Sequence, residues 1–207
     1  MSATGTLFIV SAPSGAGKTT LVQALVKKVP NVCVSISYTT RAPRANEKEG
    51  EDYYFISQPQ FKTLIEQGAF LEHAQVYGNF YGTSSAWVQK TLKQGKDVVL
   101  EIDWQGARQI RIQFSESLSI FIFPPSEAAL IERLKKRHPE NDELINKRMQ
   151  ESTRELARFD EYDYVICNDD FETALAGLES IVVATRLSLK AQKETLKPLI
   201  KELLGQK

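Results

Sequence analysis

Eight consecutive residues near the start of the chain, Ala12-Pro13-Ser14-Gly15-Ala16-Gly17-Lys18-Thr19, have the make-up needed to hold a phosphate. They follow the phosphate-loop pattern G-x-x-x-x-G-K-[ST] with alanine in its first position. Gly15 and Gly17 tolerate backbone angles that other residues avoid, so successive N–H groups can converge on one oxyanion. A helix starting just after them would point its positive end at the same spot. Lys18 then supplies a compact charge for the β and γ phosphates, and the Thr19 hydroxyl is placed to ligate Mg²⁺. By itself this loop implies a nucleotide-binding protein, with phosphate as its natural ligand.

Carboxylates come next. Residues 97–103 (DVVLEID) read as a buried strand that delivers Glu101 and Asp103 to the carboxyl edge of a sheet, where ligands of α/β proteins bind. Two positions apart on a strand, they are expected to share a face. There they would hold magnesium through water or accept donors from a nucleotide, a cap or salt bridge being the structural alternative. Arginines form the third group: Arg41 and Arg44 in Thr-Thr-Arg-Ala-Pro-Arg, then Arg133, Arg137 and Arg148 in a charged helical stretch. Guanidinium forks match the geometry of phosphate oxygens and neutralise the charge that spreads over them during transfer. Solubility of a helix surface is the plainer explanation for the last three.

Positioning these groups requires a sheet with crossover helices. Leu7–Ser11, residues 97–103, Leu118–Phe123 and Tyr164–Cys167 are short apolar runs of the kind found in central parallel strands, and helical patterns separate them. Residues 19–28 repeat apolar side chains at helical spacing, completing a strand, loop and helix around the phosphate loop. The class is therefore α/β, a parallel sheet of phosphate-loop NTPase type flanked by helices. Residues 37–85 change texture to Thr, Tyr, Gly, Asn and Pro and predict a small mixed α+β insertion, with one helix in residues 57–68 capped by Ser57 and ended by Gly68. Residues 126–160, starting at the N-cap candidate Ser126 and broken at Pro139, predict two helices that form a lid or a solvated hairpin. Residues 1–36, 86–125 and 161–207 make up the core. From Thr185 onward the chain is basic and amphipathic, as in a packed or solvated helix, with partner binding the alternative.

The bulk composition excludes several classes. Twenty-six basic and 26 acidic residues cancel within 207, leaving no overall field to draw the chain onto nucleic acid or an anionic membrane. The apolar run at residues 7–10 is too short for a leader or a span, so a cytoplasmic location is expected. Cys33 and Cys167 lie in strand-like runs and are expected to be buried free thiols. His73 and His138 have no ligand-spaced partner for a zinc site.

Taken together, APSGAGKT, SYTTRAPR, GEDYYF, FLEHA, GNFYGT and LEIDWQGA resemble, in order, segments of the bacterial guanylate kinases, over about residues 5–190. The resemblance implies transfer of the γ-phosphoryl of MgATP to GMP, within purine nucleotide metabolism and GMP recycling. It implies that residues 12–19 bind ATP and that Asn168 lies near adenine. It places Ser37, Glu72 and Thr83 at guanine, and Arg41, Arg44, Tyr53 and Tyr81 at the GMP phosphate, with Glu101 and Asp103 also on the GMP side. Arg137 and Arg148 would swing in from the lid to join Lys18 and Arg41 in catalysis. Mg²⁺ would sit on Thr19, with Asp103 reached through water. Guanine presents N1–H and N2–H side by side, which one carboxylate accepts in parallel, and adenine lacks that pair. Two departures stand out: Glu101 replaces the family's usual aspartate, and Lys136-Arg137-His138-Pro139 lacks its glycines, which predicts a stiffer lid. The implied partners are ATP and GMP, with neither nucleic acid nor membrane, and self-association is compatible. Another phosphate-loop kinase acting on a different nucleotide or a phosphorylated sugar is the alternative enzyme. A catalytically silent scaffold is the alternative of another class.

Overall fold

The computed structural model describes residues 4–137 and 142–205, with Arg137, Asp142 and Glu194 described by backbone alone. The chain opens with β1 (Leu7–Ser11), α1 (Lys18–Lys28) and β2 (Val32–Val34). A second group follows: β3 (Tyr38–Thr39), β4 (Tyr54–Phe55), α2 (Gln58–Glu66), β5 (Phe70–Val76) and β6 (Asn79–Ser84). Helix α3 (Ser85–Lys93) leads back to β7 (Asp97–Glu101), α4 (Trp104–Gln113) and β8 (Leu118–Phe123). Then come α5 (Glu127–Arg137), α6 (Asp142–Leu156), β9 (Tyr164–Cys167), α7 (Phe171–Arg186), α8 (Leu189–Thr195) and α9 (Lys197–Leu203).

Strands β2, β7, β1, β8 and β9 pair in that order, all parallel. Alternation along a strand sends neighbouring side chains to opposite faces, and in β1 both faces are covered. Phe8 and Val10 pack with Leu21, Leu25 and Leu178 from α1 and α7. Leu7 and Ile9 pack with Val88, Leu92 and Ile110 from α3 and α4. Each such side chain contributes about 1.5–3 kcal/mol on leaving water. Because β1 lies between β7 and β8, the crevice at its carboxyl end is where the chain switches direction across the sheet.

The second sheet has the order β4-β3-β6-β5 and mixed pairing. Helix α2 beside it starts with the expected cap: Ser57 accepts from the Gln60 N–H, and the Gln60 side chain returns a bond to Ser57. What docks this sheet on the core is one face of α4. Gln109 exchanges bonds with the His73 main chain at 3.2 and 2.8 Å, Gln113 donates to Leu71 O at 3.1 Å and Gln105 to Gln75 O at 3.3 Å. Side chains four apart on a helix line up, so three amides satisfy the outer edge of β5.

Several expectations need correction. Tyr164–Cys167 forms the edge strand, not a central one, and Cys167 is exposed while Cys33 is half-buried. Strand β7 stops at Glu101, so Asp103 does not share a strand face with it. Helix α7 runs through Thr185, and the basic tail is two shorter helices with Leu189 82% exposed. Ser126 does begin α5, its hydroxyl accepting from the Ala129 N–H at 3.1 Å, but Pro139 lies outside the described residues. Among the described residues no helix is long and apolar enough to cross a membrane.

Candidate active site

Strand β1 delivers the chain into the phosphate loop, where Gly15 and Gly17 have φ of 98° and 95°. Both lie in the left-handed region that glycine alone enters without penalty. Gly17 caps α1 with no side chain bonded across its first turn, which leaves those N–H groups directed into the crevice. The loop carbonyls are turned the other way and have partners. Asn168 Nδ2 donates to Ala16 O at 2.7 Å, and Arg133 Nη1 lies 3.3 Å from both Gly15 O and Ala16 O. Pro13 O accepts from Ala16 N at 3.0 Å, and Ala12 packs against the core at the loop's first position. Asn168 is buried behind the loop, so close that a Cβ on Gly17 would stand 2.3 Å from its amide nitrogen. With its acceptors engaged outside, the loop presents donors inside.

Lys18 starts α1, and Thr19 beside it donates to Glu101 Oε2 at 2.7 Å. The hydroxyl and carboxylate together are hard oxygen donors of the kind magnesium takes. Glu101 also acts electrostatically on Tyr53 across the crevice, helping burial to push that phenol upward. Asp103 instead caps α4, accepting from Gly106 N at 3.0 Å and from Gln105 Nε2 at 2.8 Å. Among the described residues no three or more His, Cys, Asp or Glu gather into a cage that could hold a metal.

Across the crevice, an irregularity in β5 between Phe70 and Glu72 turns Glu72 inward. Its carboxylate is 3% exposed and accepts from Thr83 Oγ1 at 2.6 Å. Burial pushes the Glu72 carboxyl up to about 7, Asp103 adding to the rise and the Thr83 bonds opposing it. Gly106 of α4 makes the space: a Cβ there would stand 2.4 Å from Glu72 Oε2. Nearby, Arg41 Nη2 bonds Glu47 Oε1 at 2.8 Å, and its guanidinium lies over Tyr53, 5.3 Å from the ring centre. Arg44 Nη1 reaches the same Glu47 oxygen at 3.5 Å. Burial pushes Glu47 up, but the two arginines hold it below the usual carboxylate range. Tyr81 meets Tyr53 edge-on with centroids 6.0 Å apart. Ser37, half-buried in the loop before β3, accepts from Tyr54 N through its carbonyl at 2.9 Å.

The charged pair of helices closes the crevice. Leu130, Leu134 and Ile145 form its own small core. Arg148 Nη1 donates to Ser14 Oγ of the phosphate loop at 2.8 Å. Glu155, one face further along α6, is pushed up to about 7 by burial, with Lys18 drawing it down and Asp103 and Glu151 raising it. A cleft of about 370 Å³ opens between Gln75–Gly78, the start of α4 and Lys147, Glu151, Arg154 and Glu155 of α6. The Arg137 side chain lies outside the described residues.

A phosphate loop facing a buried carboxylate and an arginine pair is a two-substrate arrangement, and sequence comparison identifies which one. The guanylate kinase family model matches residues 4–185. The chain belongs to the guanylate kinase family. A guanylate kinase from Saccharophagus degradans is 52% identical over 205 residues, covering 99% of this chain and all of that one. One from Alcanivorax borkumensis is 51% identical over the full length of both. The crystal structure of guanylate kinase from Anaplasma phagocytophilum superimposes with a TM-score of 0.77 at 32% identity, covering 96% of each chain. The guanylate kinase fold is thus shared over 96% of this chain.

The sequence-predicted residues fall into two groups, one at the phosphate loop and one on the second sheet. Residues 12–19, Asn168 and Arg148 gather at the loop. Glu72 and Thr83, and separately Arg41, Arg44, Tyr53 and Tyr81, gather on the second sheet. Sequence reasoning missed Glu47, Glu155 and the glutamine face of α4. Glu47 had a usable signal, its position three residues after Arg44 in a loop. The others depend on tertiary placement.

Proposed function

We propose that residues 12–19 seat ATP, that the second sheet seats GMP, and that the enzyme moves the γ-phosphoryl directly between them. A GMP phosphate oxygen attacks the γ-phosphorus as its bond to the β-phosphate oxygen breaks, giving GDP and ADP. In this reading residues 37–85 are the GMP-binding insertion, residues 126–160 the lid and the remainder the ATP-binding core. The observation that carries it is Glu72, a buried carboxylate with Thr83 at its side, held in a pocket that a charge enters only when a ligand supplies donors. The N1–H and N2–H of guanine are such donors; in this reading Ser37 also faces the base, with Asp103 acting on Glu72. Arg41, Arg44, Tyr53 and Tyr81 take the GMP phosphate, displacing Glu47 from the guanidinium pair.

Lys18 neutralises charge on the triphosphate, and Arg148, with Arg137, reaches the equatorial oxygens of the transferring group. Asn168 holds the loop from behind at the adenine end. Thr19 and Glu101 fit a magnesium ion arriving with ATP, Asp103 through water, and that ion would shield the β and γ phosphates. The lid and insertion exclude water, so ATP is not hydrolysed in place of transfer. The balanced surface charge supports action on small nucleotides in the cytoplasm, returning GMP to the diphosphate pool. A coupled assay for ADP with MgATP against GMP, AMP, dTMP, UMP and buffer tests the reading. GMP-dependent turnover is expected, and its absence would overturn it.

A further inference from the structure

The turn joining β5 to β6 consists of two residues, Tyr77 and Gly78, between the paired Val76 and Asn79. Both have positive φ, 51° and 81°, the geometry of the tightest hairpins. Asparagine or glycine suits the first of these positions best, and a bulky ring is an uncommon choice there. Nor is the ring left in solvent, as a hairpin tip would ordinarily leave it. It is half-buried against α6, with the Arg148 guanidinium 5.2 Å above its centre. Glu151 and Glu155, three and seven residues on, share that helix face and line the cleft with Tyr77.

Arg148 is therefore touched from two sides. Its Nη1 bonds Ser14 of the phosphate loop at 2.8 Å, and its Cζ lies over a ring brought by the other sheet. We infer that Tyr77 is a positioning residue for phosphoryl transfer: carried by the acceptor-side hairpin, its ring props the Arg148 guanidinium toward the phosphate loop. The arginine is then in register with the loop only when the sheet that binds the acceptor has come up against α6. Burial keeps the phenol neutral, pushing it up to about 12, so the ring acts as a stacking surface and not as an acid. This rests on the reading of Arg148 as a group that reaches the transferring phosphoryl.

The test is a set of ADP-forming assays with MgATP and GMP on the wild type, Tyr77→Phe, Tyr77→Asn, Arg148→Ala and the Tyr77→Asn/Arg148→Ala double variant. Asparagine suits the turn, so the variant should fold, with any fall in melting temperature limited to the worth of the half-buried ring. Tyr77→Asn should lower kcat about 3- to 30-fold, the range of a cation–π contact from exposed to desolvated. KM for GMP should stay within about twofold, and Tyr77→Phe, which keeps the ring, should recover most of kcat. In the Arg148→Ala background Tyr77→Asn should cost nothing further. Full kcat in Tyr77→Asn, an equal loss in Tyr77→Phe, or an undiminished loss in the double variant would each overturn the inference. Wild-type protein without GMP-dependent turnover, or Arg148→Ala with full turnover, would overturn the underlying reading, and these controls separate the two failures.

Discussion

Around the phosphate loop the main chain supplies the polar groups, whereas on the second sheet the side chains do. In the phosphate loop the Pro13, Gly15 and Ala16 carbonyls are bonded to Ala16 N, Arg133 and Asn168. Across from it, Arg41 and Arg44 are engaged with Glu47, and Glu72 is a carboxyl tuned near neutrality. The loop carries its own internal bonds, and the arginine pair is bonded to a residue of its own loop. Under the proposed seating, the difference teaches where each substrate's binding energy would go: ATP would meet a finished cradle, while GMP would have to exchange one set of partners for another.

The largest expected effect separates the two sides outright. Lys18→Ala should lower kcat by about 10³-fold or more, as loss of a cation on a transferring phosphoryl does, while GMP binding measured by calorimetry is retained. Equal loss of GMP binding would mean that the sides are not independent. Next, Glu72→Gln should raise KM for GMP about 10- to 100-fold, the worth of a hydrogen bond to a charged group, and narrow the preference over AMP. An unchanged preference would assign base recognition elsewhere.

The third effect is on pH. Burial raises the Glu72 carboxyl to about 7, so its ionised form is scarce below that pH, and the stability lost to its ionisation accrues between the ordinary carboxylate range and about 7. GMP donors favour the ionised form. KM for GMP should therefore fall as pH rises from 6 to 8, and Glu72→Gln should flatten that slope; a slope the variant retains would trace the dependence to another group. The smallest effect concerns Glu47→Gln. With the competing anion gone, GMP should bind about two- to fivefold more tightly, in keeping with the small net worth of a partly exposed pair. Weaker binding would instead show that Glu47 holds the arginines in place.

How much of this the sequence discloses follows the same division. The phosphate loop is local, and residues 12–19 state their conformation through Gly15 and Gly17; the α2 cap at Ser57 and the start of α5 at Ser126 are equally local. Asp103 was misread because Ile102 is buried and prolongs the apolar run, hiding the point where β7 yields to the α4 cap. YVIC has the composition of a central strand but lies at the edge of the sheet, where Cys167 meets solvent. Composition reports what a residue prefers, and sheet order decides what it receives. The approach of Gly106 to Glu72, and of Tyr77 to Arg148, spans segments far apart in the chain and leaves no local trace.

The glutamine face of α4 has one more implication, for solubility. Gln105, Gln109 and Gln113 bond the main chain of β5, which would otherwise be a bare sheet edge and a template for pairing with another chain. Three uncharged amides thereby do the protective work that charges or prolines usually do at such edges. Should α4 lift away, the same motion that takes Gly106 from Glu72 would uncover an aggregation-prone strand, so loss of that carboxyl's setting and precipitation would begin at one place.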